Sequence, residues 1–113
     1  MSTNVENVFN ILMFSGAAMT GNLSAKQLVT NINGLSIQAI YTGAPTGTLT
    51  ISASNQIDGN GTFSTWTGSV ISISAAGDVL YNFPPIKVQW IKVSYGFTSG
   101  SGLLTVIANG EAN

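Results

Sequence analysis

Along this chain apolar residues recur at every second position in short runs, the period of a β-strand with one buried face. In the run Leu35 to Tyr41, the residues Leu35, Ile37, Ala39 and Tyr41 share a face. After Gly43-Ala44-Pro45-Thr46-Gly47, the residues Leu49, Ile51 and Ala53 alternate with Thr48, Thr50, Ser52 and Ser54. The two runs predict a hairpin with one wet face, closed by a glycine and proline turn. Asn55 to Gly61 reads as a glycine-rich loop, followed by Phe63 to Trp66 and a short strand through Val70, Ile71 and Ile73. A turn at Ala75 to Asp78 leads into Val79 to Phe83, which Pro84-Pro85 ends. The longest predicted strand, Lys87 to Tyr95, shifts the phase of its alternation between Trp90 and Ile91, as a bulge or a crossing between sheets requires. Trp90 lies in its most apolar part and is expected in the core. Ser99-Gly100-Ser101-Gly102 predicts a turn into Leu103 to Ala108, apolar at nearly every position like a central strand.

Strands near Val8 to Phe14 and Leu28 to Ile32 bring the number to about eight. Only Leu23 to Leu28, flanked by Gly21 and Asn31, offers as much as a helical turn. The expected fold is all-β: one domain over residues 1–113, an antiparallel two-sheet sandwich, jelly-roll-like. Residues 1–14 form either its first strand or an N-terminal arm.

Charge changes the picture more than size does. Only Glu6, Lys26, Asp58, Asp78, Lys87, Lys92 and Glu111 are charged, 6% of the 113 residues, against about 25% in an average domain. With a net charge of −1 and no arginine, the basic footprint of nucleic-acid binding is missing. The most apolar stretch, Val8 to Met19, is interrupted by Asn10, Ser15 and Gly16 and falls short of the about 20 residues that span a bilayer. The only charge ahead of it is Glu6, so a secretory signal is not expected either. The expectation is a protein made in the cytoplasm, starting at Met1, with no membrane partner. A surface of Ser, Thr, Asn, Gly and Gln, with 44% hydrophobic residues overall, favours packing against protein, including further copies of itself.

Reactive chemistry has few carriers. The chain has neither cysteine nor histidine, which excludes disulfides and zinc, iron–sulfur or haem ligation by those residues. Asp58 beside Gly59 and Asp78 in a turn read as aspartates that bond their own backbone. Asn55, Asp58 and Asn60 offer oxygens to calcium, but one carboxylate makes a weak site. Serines lack a histidine to activate them, and no motif supports a Ser–Lys dyad at Lys26, Lys87 or Lys92. Gly59-Asn60-Gly61 and Gly100-Ser101-Gly102 do not open helices, so neither is a phosphate loop. The chain is expected not to be an enzyme and to hold no cofactor or metal.

Contact residues are the remaining candidates. Val8 to Phe14, apolar on both faces as a strand, must be central or covered by another chain. Otherwise it is an arm that adds to a neighbour's sheet. Its candidate contacts are Val5, Val8, Phe9, Ile11, Leu12 and Phe14. The loop adds Asn55, Asp58 and Asn60, and Trp66 between Thr65 and Thr67 is better placed than Trp90 to be exposed. With Tyr81, these tryptophans would make a platform for sugar rings.

From Leu49 to Gly110 a series of features follows in order: Thr50 to Asn55, Phe63 to Trp66, Ser74 to Phe83, Trp90 to Tyr95, then Thr98 to Val106. The series resembles the small β-sandwich modules of tailed-phage virions, especially the decoration, or cement, proteins of phage capsids. In that pattern the long strand usually carries an arginine where this chain has Lys92. The difference leaves open any role that needs a bidentate cation. The resemblance implies a virion protein on the capsid surface, in many copies, bridging and stabilising subunits of the major capsid protein. The same module also occurs in phage tails and fibres, where the alternative is a carbohydrate- or receptor-binding function.

Overall fold

The computed structural model describes residues 6–29, 34–66, 70–83 and 88–112. Seven strands lie among them: β1 (Glu6–Ala18), β2 (Leu23–Leu28), β3 (Gly34–Ser54), β4 (Ser64–Thr65), β5 (Ile71–Ile73), β6 (Gly77–Phe83) and β7 (Trp90–Ala112). All pairings are antiparallel and all belong to one hydrogen-bonded sheet. The all-β class is as expected, with seven strands in one sheet where the alternation predicts about eight in two.

β3 and β7 carry the architecture. They run side by side from Gly34 opposite Glu111 to Ser54 opposite Trp90. The other side of β7 takes β1 along Leu103–Ala112 and β2 along Trp90–Tyr95. The other side of β3 takes β6 along Leu35–Tyr41, β5 along Gly47–Leu49 and β4 along Ser52–Ala53. The sheet thus has a terminal half (β1, β7, β3, β6) and a loop half (β2, β7, β3 and the short β4 and β5).

This arrangement corrects both predicted turns. Gly43 to Gly47 does not close a hairpin; it lies inside β3. Likewise, Ser99 to Gly102 lies inside β7, directly across from it, with Gly43 opposite Gly102 and Pro45 opposite Gly100. Both segments bend without breaking. An extended run of 21 residues measures about 70 Å, yet the longest dimension of the molecule is 50 Å. Gly43 (φ 82°) and Gly100 (φ 84°) occupy the left-handed region at the bend. A Cβ on Gly43 would lie 2.8 Å from the Gly102 Cα, and one on Gly100 would run into the Ala44 carbonyl.

At the same place Thr46 faces Ser99 and Gly47 faces Phe97, so Thr98 has no opposite residue. That bulge flips the inward positions of β7 from Ile91, Val93 and Tyr95 to Leu104, Val106 and Ala108. The phase shift expected at Trp90/Ile91 is therefore at Thr98; Trp90 is where the strand starts. Two smaller expectations change too. Leu23 to Leu28 is strand β2, not a helical turn, because it pairs residue by residue with Tyr95 to Trp90. The first strand extends well past Phe14 to Ala18. Of the strand expected at Leu28 to Ile32, residues 30–32 lie outside the described residues.

Ile37, Leu49, Ile51, Ile91, Val93, Leu104 and Val106 have no solvent exposure, although no helix among the described residues covers them. Their cover is the sheet itself, coiled over its apolar face. Met19, Val29, Leu35, Ala39, Ile73, Phe83, Tyr95 and Ala108 belong to the same cluster. Each such side chain contributes about 1.5–3 kcal/mol by leaving water.

Candidate interface

In an antiparallel sheet directly opposed residues point to the same side, so the pairing defines what each half shows to solvent. On the terminal half one row reads Leu12, Ile107, Gln38, Leu80 across four strands. The next rows read Thr105, Ile40, Asp78 and Ala18, Leu103, Thr42. Leu12, Leu80 and Leu103 are more than half exposed, at 56%, 60% and 52%. Ile40 is exposed among them, and Asp78 is the one charge in these rows. A further row of Asn10, Asn109, Ser36 and Asn82 borders the patch, with Asn10 Nδ2 donating to Asn109 Oδ1 at 3.3 Å. Strand and residue spacings give this face about 400 Å², with Gln38, Thr42, Thr105 and Asp78 interspersed among its apolar groups.

The loop half is different. Its outward rows read Ser24, Ser94, Thr50; Lys26, Lys92, Ser52, Thr65; and Leu28, Trp90, Ser54. The loop after β3 folds back over them. Trp90 Nε1 donates to the Ile57 carbonyl (3.0 Å), and Lys26 Nζ donates to the Gly59 carbonyl (2.6 Å) and to Asn60 Oδ1 (3.0 Å). Thr62 N donates to Gln56 Oε1 (2.8 Å), and Lys92 Nζ sits 4.7 Å from the centre of the Phe63 ring. Gly59 rests so close to the Trp90 ring that a Cβ there would approach it to 2.9 Å. Under this cover Ser52 and Ser54 are buried.

The predicted contact residues do not gather in one place. Ile11 and Phe14 stand opposite Ala108 and Val106, on the core side, while Leu12 points outward. Val5, and the side chains of Val8 and Phe9, lie outside the described residues. The segment Glu6–Ala18 is an edge strand docked on its own β7. Asp58 does what a turn aspartate should: its Oδ1 accepts from Asn60 N (2.9 Å) and its carbonyl from Gly61 N (2.9 Å). Asn55 is exposed at the start of the same loop.

Trp66 is half-buried, its ring edge-on to Phe83 with centroids 4.7 Å apart at 63°. Tyr81 stacks on the same Phe83 ring, with centroids 6.0 Å apart at 15°. The aromatic side chains thus pack on one another and on the core. Burial, and next to it Tyr41, pushes the Tyr81 hydroxyl above its usual pKa. Trp90, expected in the core, instead pins the loop through its indole. Leu80, Leu103 and Ile40 were not foreseen as contacts, since each sits in an ordinary strand pattern and only the register places them together.

No protein-family model matches the chain, and no curated protein matches it. Solved structures do. The crystal structure of SPBc2 prophage-derived protein YomS aligns with a TM-score of 0.65 at 12% identity, over 96% of this chain and 97% of that one. A chain in the structure of infectious bursal disease virus, Gx strain, aligns with a TM-score of 0.56 at 14% identity. This alignment takes in 98% of the present chain and 33% of the viral one, so the present chain spans about a third of that protein. The chain shares its fold with prophage-derived and viral proteins. At such identities the likeness is one of fold.

Proposed function

We propose that this chain is a virion structural protein, a capsid decoration protein that works by contact and not by catalysis. In this reading its sandwich-like body sits on the capsid surface in many copies and bridges major capsid subunits. The fold shared with a prophage-derived protein over nearly its whole length supports a viral setting. The observation that carries the reading is the outward face of the terminal half, where Leu12, Ile40, Leu80 and Leu103 surround a nearly uncharged strip of sheet. Docking that face removes apolar surface from water and desolvates only the Asp78 charge.

Its area is about half of the ~800 Å² that each partner contributes to a standard interface. One such contact is weak, and a shell that offers many at once makes up the deficit through avidity. The β1 edge beside the face, with Glu6 as its only charge, supplies a second means of attachment by strand addition. A sugar platform at Trp66 has less support, because that ring already packs against Phe83.

Mass spectrometry and electron microscopy of purified particles test the proposal. The expected result is many copies in fixed ratio to the major capsid protein, and loss of retention when Leu80→Lys and Leu103→Lys are combined. Absence from particles, or full retention of the folded double variant, rejects it.

A further inference from the structure

We propose that the pocket between β2, β7 and the loop over residues 55–63 binds the carboxylate of an acidic saccharide. This site is separate from the apolar face and does not depend on the virion reading. The chain has three cations, and the register sets two of them, Lys26 and Lys92, directly opposite each other on neighbouring strands. Like charges so placed repel each other, and among the described residues no carboxylate pairs with either.

The two ammonium groups are nevertheless held in position. Lys26 Nζ uses two of its three donors on the Gly59 carbonyl and Asn60 Oδ1, at 2.6 and 3.0 Å, and keeps one. Lys92 Nζ lies over the Phe63 ring. The loop that supplies these partners is itself fixed by Trp90 on Ile57 and by the Asp58 turn. Together they line a pocket of about 290 Å³. An anion there would relieve the repulsion and take charge-assisted bonds from both lysines with little reordering.

The neighbouring surface narrows the ligand class. Ser24 is shared between this pocket and a groove of about 380 Å³ whose polar lining is Asn22, Ser24, Thr48, Thr50 and Ser94. Asn22 is oriented by accepting the Phe97 N–H at 2.8 Å. Four hydroxyls and an amide next to a cation pair match a sugar acid, which offers ring hydroxyls beside a carboxylate.

The test titrates the full chain, followed residue by residue by NMR, with tetragalacturonate, with neutral maltotetraose and with a tetraglutamate peptide. Tetragalacturonate should shift the signals of Ser24, Lys26, Asn60 and Lys92 and bind more tightly than the other two. Lys92→Met, which keeps the stem on Phe63, should weaken it about tenfold, as should high salt. Lys26→Gln replaces that variant if its melting temperature falls. Absence of shifts in the pocket, or undiminished binding by a folded variant, overturns the site. Equal binding of maltotetraose overturns the role of the carboxylate, and equal binding of tetraglutamate overturns the saccharide.

Discussion

β3 and β7 run through both halves of the sheet, yet the outward positions they carry differ from one end to the other. In the terminal half those positions hold Ile40, Ile107 and Leu103 among Ser36, Gln38, Thr42, Thr105 and Asn109, flanked by Leu12 and Leu80, with Leu12, Leu80 and Leu103 more than half exposed. In the loop half they hold Thr48, Thr50, Ser52, Ser54, Trp90, Lys92 and Ser94, and the segment after β3 lies across part of them. Small hydroxyl residues leave room for a loop and satisfy its polar backbone, whereas leucines on a bare sheet suit a surface that arrives from elsewhere. One half brings its own cover. The other is bare among the described residues, and along the shared strands the two differ in side-chain choice.

The most disruptive test of this comparison strikes the junction of the halves. Gly100→Ala puts a Cβ into the Ala44 carbonyl at a left-handed position, and the expected cost is about 3 kcal/mol. Urea denaturation should show both halves melting together at a lower midpoint, since the two long strands belong to both. A surviving loop half would show that the halves fold independently.

A smaller effect is expected at the edge of the loop half. The Tyr95 hydroxyl, buried, donates to the Thr46 carbonyl at 3.0 Å, so Tyr95→Phe should cost about 1 kcal/mol. The same residue makes stability depend on pH. Burial raises the pKa of Tyr95, and burial followed by Tyr41 raises that of Tyr81. Above about pH 10 the unfolded tyrosines release protons that the folded ones retain. The unfolded state then binds fewer protons, so stability held at neutral pH declines as pH rises through the folded-state values. Urea midpoints measured from neutral to alkaline pH should fall, and less steeply in Tyr95→Phe.

The smallest change in stability belongs to the bare face. Leu80→Lys with Leu103→Lys should alter the unfolding free energy by only about 0.5 kcal/mol, while the solubility limit rises. A large loss of stability would mean that these leucines support the core.

How much of this was legible in the sequence depended on how local the deciding interaction is. Alternation in Leu35 to Tyr41 and Val79 to Phe83 marked strands correctly, because the inward face needs nothing beyond period two. Gly43 to Gly47 and Ser99 to Gly102 read as turns because glycine and proline signal a reversal locally. Here the two segments face each other and bend as a pair, which only pairing across more than fifty residues decides. Trp90 was misplaced for a similar reason: the acceptor for its indole is 33 residues away. The lysine pair was invisible for the same cause, since Lys26 and Lys92 meet only through the register of β2 on β7. Asp58 was read correctly, its partner being two residues along the chain.

The place of β7 also governs when this molecule can assemble. β1, β2 and β3 all bond to β7, so on the ribosome β1 must wait for its partner until Leu103 to Ala112 have been made. Meanwhile Ile11, Leu12, Met13 and Phe14 stay available to chaperones. Pairings this distant in sequence point to folding in milliseconds to seconds.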